Sequence, residues 1–416
     1  AMSLNVSAYG NKSEVNKEFS FNKYLVVDKN ANVPNVNFTF TIAPDASVAT
    51  THLTSDKVEL YQGIAEGVSF TDATADFTPN SATTAGGTDA TFTGNTGTET
   101  TVTITNDTSK KYATDSLTVS FADVVFPEPG VYRYKVTETA PTGAFTAETE
   151  TARTLDVYVE DTDGTLGIMG YVLYDTVITG APVNYTTTEG ATTGIGYNTA
   201  EINEEATGKK SSGFVNAYET HNLTFGKEVT GNQGSKDKYF EYTVAISNAT
   251  AGDKYDVCVK GNIDGIVGNA DATVIANNAT TVSGENVTSL TVGEDGTLTQ
   301  TFYLHDGQYI TICGLGKGTK YEITEDAEDY TSTEGIAQNV SSLNWDGEEG
   351  VDALSDAVKN DTGITEDVHT GFTNNRSGVI PTGILLSVGA PATVGVIAVG
   401  GIAYLLLKNK RREDEE

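Results

Sequence analysis

Hydrophobic and polar residues alternate along much of the chain, and a period of two is typical of β-strands with one buried face. Clear runs of this kind cover residues 38–42, 130–138, 240–244 and 320–325. Clusters of Gly, Asn, Asp and Thr separate the runs and predict turns. The pattern therefore predicts an all-β protein built of antiparallel sandwiches, without a helix before residue 384.

Two segments of the sequence are each compatible with two different local structures. The stretch 71–105 is rich in Thr, Gly and Ala, which predicts either a long loop or short edge strands. The sequence Asp161-Thr162-Asp163-Gly164 starts like a calcium-binding loop but lacks the later ligand positions of one. We therefore predict a hairpin turn there.

Three short patterns recur in the same order in the two halves of the chain, which predicts an internal repeat. Each half opens with a strand that carries a lysine, continues with a Tyr-x-(Val/Ile)-Thr-Glu run and closes with Phe-x-Asn. The residues at these positions are Lys23, Glu138 and Asn216 in the first half, and Lys227, Glu325 and Asn374 in the second. The repeat predicts two domains, residues 1–217 and 218–376, joined by a very short linker.

The C-terminal end combines an apolar span with a basic tail. Residues 384–407 are 24 residues without a charged side chain, long enough for a helix to cross a hydrocarbon core of about 30 Å. Four basic residues follow within 408–416 and would hold that end in the cytoplasm. We predict one transmembrane helix over 384–407 and a charged cytoplasmic tail over 408–416. By itself such a span would indicate an ordinary membrane anchor.

A short motif directly before the span changes that interpretation. The segment 377–383 contains Ile380-Pro381-Thr382-Gly383. Pro-Thr-Gly before an apolar span and a basic tail resembles a sortase sorting signal of the LPxTG type, although the residue between Pro and Thr is absent. The shortened form is similar to the signals of streptococcal T-antigen-type major pilins, which pilus-specific sortases process. The resemblance implies that a sortase cysteine attacks the Thr382 carbonyl, releases Gly383 with the tail, and passes the acyl group to an amine.

Each repeated residue also has an ordinary structural explanation: a solvated lysine, a polar strand end and a turn-capping asparagine. Their recurrence in matching contexts favours shared chemistry instead. Burial among aromatic rings lowers the pKa of an amine and raises that of a carboxylic acid. A neutral lysine can then attack an asparagine amide while the acid relays protons. The aromatic residues that flank the reacting positions are Phe21, Phe214, Phe225 and Phe372.

This triad resembles the isopeptide domains of Gram-positive, sortase-assembled major (backbone) pilins of the FctA/T-antigen-like family, and the resemblance covers most of the chain. It implies two tandem Ig-like, CnaB-like β-sandwich domains, each with a bond between its first and last strands. The implied cross-links are Lys23–Asn216 with Glu138, and Lys227–Asn374 with Glu325. The adjacent Asn375 leaves the second acceptor open between two asparagines.

A shaft subunit also needs an amine that receives the next subunit. In similar pilins this lysine lies shortly before the first domain's asparagine, and here Lys209 and Lys210 lie seven and six residues ahead of Asn216. A solvated basic pair in a loop is the alternative, and the pair Lys110-Lys111 is the next candidate. The implied partners are a pilus-specific sortase, identical subunits in a covalent homopolymer, minor pilins and peptidoglycan. The implied location is an extracellular pilus attached to the cell wall, reached from a membrane-held precursor.

Composition narrows the function classes. The formal net charge is −32, from 25 Lys+Arg against 57 Asp+Glu, which disfavours nucleic acid and anionic membranes as ligands. The four histidines are widely spaced, without a zinc, phosphate or hydrolase motif. We therefore predict no cofactor, no metal and no enzymatic turnover, because cross-linking would be a single autocatalytic event. The alternative to a shaft subunit is a monomeric wall-anchored adhesin for a host or carbohydrate ligand, which would not need Lys209 or Lys210.

The sequence contains two cysteines, Cys258 and Cys313, both in strand-like runs. They either form a disulfide or serve as small core hydrophobes, and the sequence leaves both open. No charged and apolar leader opens the chain, and a cleaved signal peptide would leave such a start.

Overall fold

In the computed structural model, residues 17–48, 59–92, 100–146, 150–178, 184–186, 193–195, 211–260, 288–334 and 358–379 are described. Within these ranges the protein is all-β and contains no helix, as the alternating pattern predicts. Accordingly, none of these ranges holds a helix with the length and hydropathy needed to cross a bilayer. The predicted span at 384–407 and the sorting motif at 380–383 lie outside the described residues.

The first half is formed by strands β1 to β15. Their bounds are β1 (Glu18–Asp28), β2 (Val36–Pro44), β3 (Leu60–Gln62), β4 (Ser69–Asp72), β5 (Thr74–Phe77), β6 (Thr83–Ala85), β7 (Asp89–Phe92), β8 (Thr100–Thr103), β9 (Lys110–Ser120), β10 (Gly130–Thr139), β11 (Ala152–Thr162), β12 (Thr165–Leu173), β13 (Asn184–Thr186), β14 (Thr193–Ile195) and β15 (Gly213–Ala217). The stretch 71–105 thus contributes short strands, one of the two predicted alternatives.

The second half is formed by strands β16 to β25. Their bounds are β16 (Thr220–Thr230), β17 (Phe240–Ser247), β18 (Lys254–Lys260), β19 (Thr288–Thr291), β20 (Leu298–Leu304), β21 (Tyr309–Gly316), β22 (Lys320–Glu325), β23 (Thr331–Glu334), β24 (Lys359–Asn360) and β25 (Val368–Asn375). Each described sheet draws its strands from one half only. The domain boundaries at 217 and 376 themselves remain a prediction.

Each half contains a pair of sheets packed around an apolar core, and the first half also has the two-stranded sheets β7-β8 and β13-β14. In the first half the order β15-β1-β9-β4 faces the order β12-β11-β10-β2-β5, with β6 added to β9 and β3 to β10. In the second half β19-β18-β21-β16-β25-β23 faces β20-β17-β22-β24. Strand β2 shows why these residues form a sandwich: Val36, Phe38 and Phe40 are buried, whereas Asn37 and Thr39 are exposed. Such alternation gives each strand one face for the core.

The first and last strands of each half are neighbours and run parallel, unlike most other pairs. Strand β1 pairs with β15, and β16 pairs with β25. The glycine at position 213 allows the first pairing, because its φ is +150° and a Cβ there would lie 1.7 Å from the Asn22 carbonyl oxygen. The parallel pairing therefore brings residues from opposite ends of each half into adjacent positions.

The hairpin predicted at Asp161–Gly164 is present. Thr162 and Thr165 face each other across β11 and β12, so the loop between them has two residues. Asp163 and Gly164 adopt φ values of 53° and 86°. Two positive φ values are the signature of a type I′ turn, whose twist matches that of the strands it joins.

The two halves meet at a polar joint. The loop between β1 and β2 lies against the turn before β18, where the Asn35 main-chain N–H donates to Asp253 Oδ1 at 2.7 Å. The Asn35 side-chain amide donates to the Ala251 carbonyl at 2.9 Å, and that of Asn32 donates to Asp256 Oδ1 at 2.9 Å. Burial raises the pKa of Asp253 from 3.8 to about 6, although the Asn35 N–H opposes the rise. A buried carboxyl group that resists ionisation thus lies at the joint.

We predict that Asp253→Asn removes a pH-dependent loss of stability at this joint. A raised pKa makes ionisation less favourable when the carboxyl is buried, so stability falls as pH rises from 3.8 to about 6 and is constant above. The melting temperature of Asp253→Asn should match that of the wild type below pH 3.8. It should exceed it above pH 6, by the equivalent of at most about 3 kcal/mol.

A carboxyl with the opposite shift supplies the control. Hydrogen bonds from Thr297 lower the pKa of the exposed Asp295, so Asp295→Asn should lose stability relative to the wild type as pH rises. A difference between Asp253→Asn and the wild type that stays constant across this pH range would contradict the interpretation of the joint.

Candidate cross-linking sites

The first site lies where β1, β10 and β15 face each other across the core. The inward positions of β1 are Phe19, Phe21, Lys23, Leu25 and Val27, so that the lysine interrupts an apolar stripe. The same period of two turns Glu138 inward on β10 and Asn216 inward on β15. The strand pattern thus places one ionisable side chain from each of the two facing sheets in the core between them.

Contacts within the first site join all three predicted residues. The Lys23 Nζ lies 2.6 Å from Glu138 Oε1 and also contacts Asn216 Oδ1. Asn216 Nδ2 donates to the Thr146 carbonyl oxygen at 2.7 Å. Lys23 is fully buried, and Glu138 and Asn216 are nearly so. The amine, the carboxyl and the amide therefore meet away from solvent.

The second site repeats the arrangement on β16, β22 and β25. The Lys227 Nζ contacts Glu325 Oε1, and Asn374 Nδ2 donates to the same oxygen at 3.0 Å. The side chains of Lys227 and Glu325 are completely buried. Ser332, which no repeated pattern includes, donates from its hydroxyl to Glu325 Oε2 at 3.1 Å.

The parallel register is identical in the two halves. Lys23 is opposite Phe214 and Leu25 is opposite Asn216. Correspondingly, Lys227 is opposite Phe372 and Val229 is opposite Asn374. In both halves the asparagine therefore follows, by two residues, the phenylalanine that faces the lysine. This offset keeps both side chains on the inner face of the sheet.

The geometry distinguishes the two candidate acceptors of the second half. Asn374 is fully buried beside Glu325. Asn375 is exposed and donates to Thr230 Oγ1 on the outer side of the strand pair. Adjacent strand residues point to opposite faces, so only Asn374 shares the core with Lys227. The geometry therefore favours Asn374.

Aromatic rings line both sites, but not only those expected. The Lys23 Nζ lies 4.4 Å from the ring centroid of Phe38, and the Lys227 Nζ lies 4.4 Å from that of Phe240. Both rings lie in alternating runs of the sequence, which do not by themselves assign them to the site. The two phenylalanines begin corresponding alternating runs in the two halves, and this match is the sequence signal that points to them. Of the four predicted flanking rings, Phe21 packs on Phe214 at 5.7 Å, whereas Phe225 and Phe372 each pack on Tyr242.

Burial changes the protonation of the second amine. It lowers the pKa of Lys227 from 10.5 to about 8, although the adjacent Glu325 opposes the change. A neutral amine is a nucleophile and an ammonium ion is not. Near pH 8 a substantial fraction of Lys227 thus carries the lone pair that an attack on an amide requires.

Other predicted functional residues fall elsewhere. Lys209 and Lys210 lie outside the described residues, as do Ile380, Pro381, Thr382 and Gly383. The Lys110-Lys111 pair lies near the joint: Lys110 contacts Asp28, and burial lowers the pKa of Lys111, with Asp256 of the second half opposing the change. An acceptor at that pair would be partly enclosed by the chain itself.

The two cysteines lie on neighbouring strands. The register places Cys258 opposite Thr311 and Cys313 opposite Asp256, so the cysteines are diagonal neighbours. Diagonal positions are about 7–8 Å apart, at or beyond the usual reach of a disulfide. Cys313 is buried, and the Cys258 side chain lies outside the described part of the chain. The register favours the core-hydrophobe alternative, and the disulfide stays a prediction.

The sequence of this chain is similar to a family model and to a known protein. Residues 221–376 match the sequence model of a family described as Domain of unknown function (DUF7601). Over 390 residues the chain is 25% identical to a pilin of Streptococcus pyogenes serotype M1. The aligned region covers 92% of this chain and 88% of that pilin.

Two solved structures from the same species are also similar. One is the major pilin of Streptococcus pyogenes, with 19% identity, a TM-score of 0.45, and coverage of 88% of this chain and 100% of the other. The second is the major pilin T3.2 of Streptococcus pyogenes serotype GAS13637, with 21% identity, a TM-score of 0.46, and coverage of 88% and 99%. The resemblance to Gram-positive pilins that the sequence predicts is confirmed: over nearly its whole length, this chain is similar to a streptococcal pilin.

Proposed function

We propose that this protein is the structural subunit of a pilus shaft, and that each half is closed by a Lys–Asn isopeptide bond that forms without an enzyme. The observation that carries the proposal is the pair of Lys–Glu–Asn clusters, each buried between the first and last strands of its half at the same parallel register. A cross-link at this place resists separation of the chain ends, which a shaft under tension requires and an isolated binding domain does not.

The chemistry needs no external reactant. The neutral lysine amine attacks the asparagine side-chain carbonyl carbon, the bond from that carbon to Nδ2 breaks, and a secondary amide and ammonia result. The glutamate takes the proton from the attacking nitrogen and gives one to the departing nitrogen, so it ends as it began. Each site reacts once, so the protein is a structural protein rather than an enzyme.

The proposed bonds close long loops. Lys23 and Asn216 are 193 residues apart in sequence. In the chain-entropy estimate used for disulfides, closing a loop of this size stabilises the folded state by about 5 kcal/mol. The second loop, between Lys227 and Asn374, is shorter but contributes a similar amount, because the effect grows only with the logarithm of loop length.

Polymerisation would use the other predicted residues. A pilus-specific sortase would cleave between Thr382 and Gly383 of the membrane-held precursor and join Thr382 to Lys209 or Lys210 of the next subunit. Such a head-to-tail contact does not close on itself, so it propagates as a filament. Minor pilins and peptidoglycan are the proposed further partners at the ends of the extracellular filament.

The chain leaves the second half in a position suited to this role. After β25, Arg376 pairs with Asp329 at 2.9 Å. The Asn232 side chain then donates to the Gly378 carbonyl at 3.0 Å and accepts from its N–H at 2.9 Å. Thr382 is four residues beyond Gly378, so the linkage to the next subunit would lie within about 14 Å of the folded body. Tension on Thr382 would then reach Asn374 directly.

Loss of ammonia tests the internal bonds. We predict that the folded wild-type chain has a mass lower than its sequence mass by two ammonia molecules, because each bond expels one. Glu138→Ala and Glu325→Ala should each restore one, since the proton relay is lost. Asn374→Ala should do the same while Asn375→Ala should not. An intact-mass measurement equal to the sequence mass would exclude both bonds.

Polymer formation tests the shaft role. We predict that cell-wall extracts probed for this protein give a ladder on a denaturing gel, and that Lys209→Ala with Lys210→Ala abolishes the ladder while both internal bonds still form. A ladder that survives the double change would move the acceptor to another lysine, with Lys110-Lys111 next. A single wild-type band would instead favour the wall-anchored adhesin.

Force should separate the roles of the two internal bonds. If tension enters at Lys209 or Lys210 and leaves at Thr382, it passes through the proposed bond between Lys227 and Asn374. Residues 228–373 then carry no load. Pulling a Lys227→Ala polymer should therefore release those residues, an added length on the order of 500 Å per subunit. Lys23→Ala is the matched control and should add little length, because Lys23 lies outside this path. A comparable extension in Lys23→Ala would show that tension enters upstream of residue 209.

A further inference from the structure

Strand β23 brings a hydroxyl group into the second site. Ser332 is directly opposite Asn374 in the β23–β25 pair. Its Oγ donates to Glu325 Oε2 at 3.1 Å, and the side chain is partly buried. Ser332 thus contacts the acid of the site from the strand that covers the acceptor asparagine.

The two oxygens of Glu325 have different partners. Oε1 contacts the Lys227 amine and accepts from Asn374 Nδ2 at 3.0 Å. Oε2 accepts from Ser332. The terminal torsion of a glutamate is broad, because rotation of the carboxyl group meets only a low barrier. A hydrogen bond to one oxygen therefore decides where the other oxygen points.

We propose that Ser332 is a positioning residue for the Lys227–Asn374 bond: its hydroxyl fixes the rotation of the Glu325 carboxyl group so that Oε1 faces the attacking amine and the departing nitrogen together. This inference rests on the proposed cross-linking function. The relay needs one oxygen within reach of both nitrogens, since the proton removed from Lys227 Nζ must be matched by one delivered to Asn374 Nδ2 as ammonia leaves. A carboxyl group rotated away from this position reaches at most one of them.

The apolar surroundings strengthen the effect of the hydroxyl. A carboxylate oxygen left without a partner in a buried site retains an uncompensated desolvation cost. Without Ser332, Glu325 would lower this cost by turning both oxygens toward Lys227 and Asn374 or toward water. Either change competes with the geometry that the proton relay requires.

The first half offers an internal control. The segment that returns beside β15 carries Thr146, and its main-chain N–H donates to the Ala217 carbonyl at 2.8 Å. There the carbonyl of Thr146 accepts from Asn216 Nδ2 at 2.7 Å. In the first site, the segment next to the last strand binds the asparagine through a backbone carbonyl. In the second site, the corresponding segment binds the glutamate through a side chain. A substitution of Ser332 should therefore leave the first bond unaffected.

The experiment follows bond formation over time in the full chain made by cell-free synthesis. Samples are quenched at intervals and digested, and the two cross-linked peptide pairs are quantified separately by mass spectrometry. Ser332→Val and Ser332→Thr introduce side chains of the same shape and of similar strand propensity. Of the two, only Thr keeps the hydroxyl. We expect the second bond to form about tenfold more slowly in Ser332→Val, the effect of one hydrogen bond to a charged group, and within about twofold of the wild type in Ser332→Thr.

The first bond reports the yield of folded first half in every sample, and a variant whose second half misfolds is recognised by the loss of that half's resistance to trypsin. In that event Ser332→Ala, which needs no extra space, replaces the Val variant. Equal rates for Val, Thr and wild type would overturn the positioning role. Equal slowing by Val and Thr would also overturn it, because packing and not the hydroxyl would then matter. A wild-type chain that never forms the second bond would overturn the proposed cross-link itself, and the role of Ser332 with it.

Discussion

Lys23 and Lys227 each place a primary amine inside an apolar core, facing a buried carboxyl group. Removing two such charges from water costs several kcal/mol per ion, and their attraction repays this only with close geometry and further hydrogen bonds. The surrounding structure supplies both: an acid from the opposite sheet, an amide from the adjacent strand, and a ring face beneath each amine. Conversion of the amine to an amide would remove its charge altogether. The proposed reaction therefore relieves an electrostatic cost that folding itself creates.

This chemistry depends on the parallel pairing of the first and last strands. In each half the lysine belongs to the first strand along the chain and the asparagine to the last, so the reacting atoms meet only when these two strands have paired. Contacts between residues this far apart in sequence form late, since loop-closure entropy must be overcome first. A bond at this position would therefore form only in a correctly folded half, and it would then hinder the unfolding of that half.

The sequence predicts the triads because strand periodicity and the repeat act together. Lys23 and Lys227 occupy inward positions of strands whose neighbouring inward residues are apolar, and the repeat identifies the glutamate and asparagine in matching places. Phe38, Phe240 and Ser332 could not be assigned in the same way, because their part in the site depends on which strands are neighbours and at what register. The joint shows the same limit. Asn35 and Asp253 are 218 residues apart, and neither lies in a pattern that points to the other.

The two proposed bonds have different mechanical consequences, although their geometry is alike. Tension between the predicted acceptor lysines and Thr382 follows the chain from the end of the first half into β16, and then crosses to β25. The second bond lies on that path, and the first lies beside it. The proposed Lys23–Asn216 bond would instead fix β1, whose end at Asp28 leads into the loop that carries Asn32 and Asn35 to the joint. Because that loop donates hydrogen bonds to the second half, a fixed β1 would keep these donors in place when the linker is pulled. The second bond would thus carry the load, and the first would keep the two halves aligned while it does so.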